Sequence, residues 1–443
     1  MDKKVIFQRL GILLAYPLAY AYIRFICDVS DSFIVDPSNG SGHFLITVSY
    51  PVFAILFIIV NEFVRRGWRG STGSPSGETV FWYLMTFLTG LTASFGPGLE
   101  LSVFAMHLCA VYSVLVSNNV LLGGKTSGFI IADLIDGFYV KSFAGFPNFV
   151  VDWKCYAKPE TDQDPNTLNN REKGRLGAFV FITVMIVLMI ISVSLMASID
   201  EDISMFLNNT FEGLVDYLNN ANLGEIFVRL MFAIPVCFYI YGLFSRTAKS
   251  DGSREGRVAS WLSRILGKGK TVSSTIVYIG AGVFVLAYIL FFVKRLTYMM
   301  GGFTGTVPDG LLVSHYAREG FFELVGIMAV NMCVYLAIIL LGKTDKEGKF
   351  ALPAKILVTL LMAESIIFAI VAMSKLGLYY SIYGYTPKRI LAMWGTLALG
   401  FASLMTILTV NCSKPHIRAG IIFTAVSYVA ICLLSGVLET IGA

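Results

Sequence analysis

Charge is what this 443-residue sequence has least of. Asp, Glu, Lys and Arg together make up 14% of it, against 56% hydrophobic residues and a mean hydropathy of +0.71. A soluble domain carries about 25% charged residues, so this chain is not one; it is solvated by lipid over most of its length. Paired thiols are missing as well. The seven cysteines, Cys27, Cys109, Cys155, Cys237, Cys333, Cys412 and Cys432, are scattered singly with no CxxC spacing, which excludes a metal ribbon or a dithiol redox pair. They read as small apolar side chains. Histidine is rarer still: His43, His107, His315 and His416 lie far apart, so neither a metal nor any other cofactor is expected. The net charge of +5 is spread over loops where membrane topology explains it, and no nucleic-acid partner is expected.

What is there is long apolar runs. A hydrocarbon core about 30 Å thick needs roughly 20 mostly apolar residues per helix, and backbone groups in lipid must bond within their own segment. The expected fold is therefore all-α, a polytopic helical membrane protein of eleven spans in a single transmembrane domain, 1–443. Spans fall near 9–27, 43–64, 79–95, 100–117, 177–199, 225–244, 274–294, 319–341, 354–374, 389–411 and 420–440. The basic start MDKKVIFQRL resembles a signal-peptide n-region, but no cleavage site follows before Asp28, so the first run reads as a retained span. The turn Phe95–Glu100 is short enough that spans three and four could form a hairpin that does not fully cross.

Lys and Arg alternate between loops as the positive-inside rule requires, which places the N-terminus in the cytoplasm and the C-terminus outside. Three extramembrane stretches stand out: a cytoplasmic loop 119–176, an outer amphipathic segment 200–224 and a basic cytoplasmic loop 245–273. In the first, Ile130, Ile131, Leu134, Ile135 and Phe138 recur at helical spacing while Asp133, Asp136 and Lys141 point away, as in an interfacial helix. Gly123–Thr126 reads GGKT, but Asn119 stands where a phosphate-binding loop needs its first glycine.

The exceptions to the charge rule are Arg24, Arg229, Lys294, Arg295, Arg318, Lys375, Lys388 and Arg389, each at or just inside the outer end of a span. Singly, each is explained by a long side chain stretching to water. Acids are present to pair with them. Tyr316, Glu319 and Glu323 fall on successive turns of span eight. Glu364 lies near the middle of span nine, three turns from Lys375 on the same face, and is a candidate proton-coupling residue. Tyr379, Tyr380, Tyr383 and Tyr385 sit beside Lys388 and Arg389, either as an interfacial aromatic belt or as the lining of an outward mouth for an anionic head group.

The ordered set Ser198-x-Asp200, Tyr316-Ala317-Arg318-Glu319-Gly320-Phe321 running into Glu323-Leu324, and Leu378-Tyr379 with Tyr383-Gly384-Tyr385-Thr386 and Arg389 resembles an uncharacterised group of bacterial polytopic inner-membrane proteins. That group is known only as a domain of unknown function. The resemblance covers roughly 175–411. It implies a helical fold in a bacterial cytoplasmic membrane and supplies no activity. All three elements fall on the outer side of the topology derived above, which suggests that Asp200, Arg318, Glu319, Glu323 and Arg389 act together.

Two functions remain open. One is a transporter or flippase for an anionic or amphipathic small molecule, a lipid or an envelope precursor, in an outward-facing cavity. There Arg318 and Arg389 engage the anion, with Arg229, Tyr316, Tyr379 and Tyr385 supporting them, Glu319 and Glu323 orient the arginines and Asp200 closes the rim. The other is a non-catalytic scaffold or signalling partner of another membrane protein, held by structural ion pairs. No catalytic triad or metal spacing argues for an enzyme. The expected partners are the lipid bilayer and a lipid-like ligand.

Overall fold

The computed structural model describes residues 3–27, 40–70, 74–95, 98–157, 223–250, 273–305, 312–341, 352–412 and 416–441. Span 177–199, all but the last two residues of the outer segment 200–224, Asp200 included, and most of loop 245–273 lie outside the described residues. All regular structure among them is helical. The elements are α1 (Lys3–Tyr22), continued by a π-helical turn Ile23–Cys27, α2 (Gly40–Arg69), α3 (Gly77–Phe95), α4 (Leu99–Ser117), α5 (Ile130–Ile135), α6 (Phe146–Ala157) and α7 (Leu223–Lys249). They continue with α8 (Ser274–Thr304), α9 (Val313–Leu341), α10 (Leu352–Tyr383), α11 (Pro387–Asn411) and α12 (Ile417–Ile441).

Nine helices among the described residues are long and apolar enough to cross a membrane: α1 with its π turn, α2, α4 and α7 to α12. The chain is an all-α, multi-pass membrane protein. The third expected span does form a helix, α3, but it is not one of the nine. Its inward face carries Thr79, Thr86, Thr89 and Thr92, all buried. Thr86, Thr89 and Thr92 donate their hydroxyls to carbonyls of their own helix, at 2.8, 2.7 and 2.8 Å.

Contacts group the chain into two compact units. One lies within 1–94, 103–124 and 131–254, the other within 95–102, 125–130 and 255–443. In the first unit α1, α2 and α7 pack on one another. The buried row Tyr50, Phe53, Phe57, Val60 and Val64 recurs every three or four residues along α2, so one stripe faces its neighbours from Tyr50 to Val64. Asn61 ties three helices at once, donating to Tyr83 at 2.8 Å and to Ser117 at 3.1 Å. Tyr83 in turn donates to Glu62 at 2.7 Å, and Glu62 holds Arg65 at 2.8 Å and Arg66 at 3.1 Å.

The expected interfacial segment is helical, but its acids face the protein rather than water. Between α5 and α6 runs a π-helical turn, Asp136–Lys141, and a single helical turn, Ser142–Ala144. Ile131, Ile135, Tyr139 and Phe143 form an exposed stripe, while Asp133, Asp136 and Ser142 are buried. The longer period of the π turn stacks residues five apart, which sets Lys141 over Asp136. Lys141 pairs with Asp136, and Ser142 donates to the Gly137 carbonyl at 2.8 Å.

On the same unit Asp152 of α6 receives Lys249 at 2.6 and 2.8 Å and the Tyr241 hydroxyl at 2.7 Å. Burial nevertheless holds the Asp152 carboxyl above its ordinary range, because it outweighs that ammonium. Asp133 accepts the Leu122 backbone N–H at 2.9 Å through one oxygen, while the other is buried without a hydrogen-bond partner among the described residues.

Burial pushes Asp133 up to about 6, above its ordinary value of 3.8. With the folded-state value raised, the unfolded chain loses its proton first as pH rises. Stability therefore falls between pH 4 and about 6 and does not recover above. Asp133→Asn is expected to melt with the parent at pH 4 and several degrees above it at pH 7.5. Parallel melts across that range would refute this if the gap were the same at both ends.

Candidate functional site

In the second unit α10 is the central element, packed against α8, α9 and α11, with α12 on α11. Its 32 residues span about 48 Å at 1.5 Å per residue. Lys375 and Glu364 both point into the protein from it, 1% and 7% exposed. Eleven residues separate them, which puts them on one face about 16 Å apart.

The lysine lies in a box of aromatic rings. Its Nζ stands 4.0 Å from the centre of the Tyr298 ring and 4.2 Å from that of Tyr316. The two rings meet edge to face at 5.0 Å, and the Tyr316 hydroxyl donates to the Tyr298 carbonyl at 2.5 Å. Gly320 closes the box one turn beyond Tyr316, where any Cβ would collide with the Lys375 ammonium. Gly302 lets α8 come against the backbone of Ser374 and Lys375. Two desolvated cation–π contacts, each worth about 2 kcal/mol, offset part of the cost of burying the charge. Glu323 is near enough to act electrostatically on Lys375 and Tyr298, and Arg295 and Glu319 act on Tyr298.

Helical period divides the YAREGF element in two. Tyr316, Ala317, Gly320, Phe321 and Leu324 are buried and build the box and its floor, whereas Arg318, Glu319, Phe322 and Glu323 are exposed. Glu319 pairs with His315 on its own helix at 2.9 Å.

Arg389 is used elsewhere. It lies over the Tyr379 ring at 4.2 Å and Tyr383 at 5.8 Å, and donates to the carbonyls of Tyr383 at 2.9 Å and Gly384 at 2.5 Å. Gly384 takes the left-handed conformation (φ 73°) that ends α10, extended Thr386 opens α11, and Pro387 occupies its first turn. The YG-x-T-x-x-R element is thus a tight turn between two antiparallel helices, with an arginine reaching back onto the last carbonyls. Tyr385, in that turn, is half-buried.

Among the described residues the structure joins Tyr316 with Lys375, and Tyr379 and Tyr383 with Arg389. It shows no contact linking Arg318, Glu319 or Glu323 to Arg389. Arg229 lies on α7 of the other unit, half-buried and engaged with a neighbour. Asp200 is outside the described residues. No group of three His, Cys, Asp or Glu side chains among the described residues could hold a metal.

A groove that sequence reasoning missed runs beside this cluster. It has a volume of about 970 Å³ and lies between the end of α8, one face of α10 and α11. Its walls are mostly apolar, and Gly305 and Gly377 leave open space along it. On α10 it runs from Ile366 to Ser381, about 22 Å along the helix. Phe303, Ile370, Leu397 and Leu404 line it and are at least 40% exposed, so one side is open. Ser374, Ser381 and Thr304 supply hydroxyls, the last two at the end that carries Tyr380, Lys388 and Arg389.

Comparison with known proteins gives one family. No curated protein and no solved structure shows a significant match. The family model described as "Domain of unknown function (DUF4153)" matches residues 77–438, taking in the lysine box, the turn and the groove. With most of its length covered by that one model, the chain belongs to the DUF4153 family.

Proposed function

We propose that this protein is a transporter or flippase of the bacterial cytoplasmic membrane that handles an amphipathic molecule with an anionic head, a lipid or an envelope precursor. Its N-terminus is cytoplasmic and its C-terminus outside, so the groove opens in the outer leaflet. The groove carries this reading. Its run of about 22 Å from the middle of α10 to the rim suits one acyl chain in one leaflet. At the rim Ser381 and Thr304 offer hydroxyls, and Lys388 and Arg389 offer charge complementary to a phosphate or carboxylate. Arg318 stands exposed on the same end of the unit and draws anions toward it.

One observation favours the second reading, a scaffold or signalling partner. The Arg389 guanidinium is bound to its own helix end and two tyrosine rings, which is how a structural clip is built.

Gly377 separates the two. Nothing lies within 4 Å of a Cβ added there, so Gly377→Phe fills the groove without disturbing the backbone. Full-length protein is reconstituted in vesicles carrying a fluorescent anionic phospholipid, and movement between leaflets is followed with an impermeant quencher. The wild type should move the probe at least tenfold faster than Gly377→Phe, with equal insertion and melting. Equal rates in the two proteins, at or above the rate of empty vesicles, would leave the scaffold reading standing.

A further inference from the structure

In the middle of the second unit α9 and α10 meet at a buried polar layer in which two acceptors lack a donor. It contains Glu364 and Ser365 of α10, Asn331 of α9 and, near enough to feel the charge of Glu364, Tyr288 of α8. The Asn331 amide donates to the Ser365 hydroxyl at 2.7 Å, and that hydroxyl is within reach of the Leu361 carbonyl at 3.2 Å. Those bonds use one amide hydrogen of Asn331 and the hydroxyl hydrogen of Ser365. Two acceptors remain: Glu364 Oε2 and Asn331 Oδ1 are both buried without a hydrogen-bond partner among the described residues. Apolar side chains seal the layer, with Val358, Leu361 and Met362 on one side and Phe368, Ala369 and Ala372 on the other.

An ionised carboxylate left so is costly in a bilayer, and a buried carboxylate oxygen without a donor is completed by a proton or a cation. The groups facing Glu364 do not supply that charge. Toward it α8 presents Tyr288, and α9 presents Asn331 with Tyr335 a turn further on. Between Ile390 and Val410, α11 has no titratable residue. On α10 the cations are Lys355, about 14 Å away on the opposite face of the helix, and Lys375, about 16 Å away and enclosed by tyrosines.

The geometry points to Glu364 as an intramembrane proton-binding residue, the carboxyl whose protonation completes this layer and whose release empties it. As the coupling ion of the transport cycle the proton rests on the reading proposed above. Its binding is measured without transport, so the two can fail separately.

Full-length protein in lipid nanodiscs is followed by infrared spectroscopy from pH 5 to 10, beside Glu364→Gln and Glu364→Asp. Expected is a carboxylic C=O band present at low pH and reduced at least tenfold by pH 10. It should be absent in Glu364→Gln, displaced rather than lost in Glu364→Asp, and indifferent to sodium at constant pH. The aspartate variant keeps the test informative should the glutamine variant misfold. Identical carboxylic spectra in wild type and the variants would overturn the assignment, as would a band that persists unchanged at pH 10. A band removed by sodium at constant pH would make the layer a cation site and equally overturn it.

Discussion

Gly242→Ala is expected to lower the stability of the protein by at least about 3 kcal/mol, near the upper end of what overpacking a core costs. Gly242 of α7 and Gly145, ahead of α6, cross with their backbones in contact. A Cβ on Gly242 would lie 2.5 Å from the Ser142 carbonyl oxygen and 3.0 Å from the Gly145 carbonyl carbon. A Cβ on Gly145 would fall on the Gly242 carbonyl. The neighbours are main chain and cannot swing aside as a side-chain tip could, so relief requires the segments to part. That would draw Tyr241 and Lys249 away from Asp152, and a buried carboxylate deprived of its partners costs several kcal/mol more.

Gly145 itself has ordinary helical dihedrals, φ −88° and ψ −10°, so it is needed for space and not for backbone freedom. Melting in detergent should drop by on the order of 10 °C for Gly242→Ala. Gly280→Ala on α8 is the control. Nothing lies within 4 Å of a Cβ there, and removing a helical glycine is worth up to about 1 kcal/mol in the other direction. Equal melting of the two variants would mean that the crossing is not a close contact.

Lys375 should separate charge from volume. Lys375→Ala leaves a void bounded by Tyr298, Tyr316 and Gly320 and is expected to cost about 3 kcal/mol, as other long-to-Ala changes in cores do. Lys375→Met fills the same box without the ammonium. It gives up two cation–π contacts but also the desolvation of a buried charge, and such exchanges are commonly neutral or stabilising. The expected order in denaturant is Met at or above wild type, with Ala well below. If Met fell as far as Ala, the ammonium itself would be holding α8, α9 and α10 together. In the vesicle assay a stable Lys375→Met protein that moves lipid at least tenfold more slowly would place the charge in the working cycle. Unchanged movement would leave it as packing.

The helices were legible in the sequence because their signal is local: a run of apolar residues long enough for a bilayer shows without knowledge of its neighbours. The common face of Glu364 and Lys375 was legible for the same reason, being a matter of helical period. What failed to show was set by partners. Asp133 and Asp136 read as water-facing because only the folded chain brings the Leu122 amide to the first, and only a π turn stacks Lys141 on the second. Arg318, Glu319 and Glu323 attracted attention as charges, yet in the same element it is Tyr316 and Gly320, with less conspicuous chemistry, that enclose Lys375. The role of Arg389 could have been found. A glycine after a helix, then Thr-Pro opening the next, is a turn signal, and an arginine two residues past the proline can reach the carbonyls left over. The groove could not have been found, because its walls come from three distant segments that only the folded chain brings together.

The threonines of α3 bear on how the chain enters its membrane. A segment whose inward face is lined with hydroxyls has little to gain from meeting lipid alone. Its Tyr83 finds Glu62 and Asn61 on α2, and its Trp82 finds Tyr112 on α4, only when those helices are already beside it. Biogenesis is then not a march of independent insertions in order of synthesis. The expected order is that α3 enters together with α4, as a hairpin against α2 already in place.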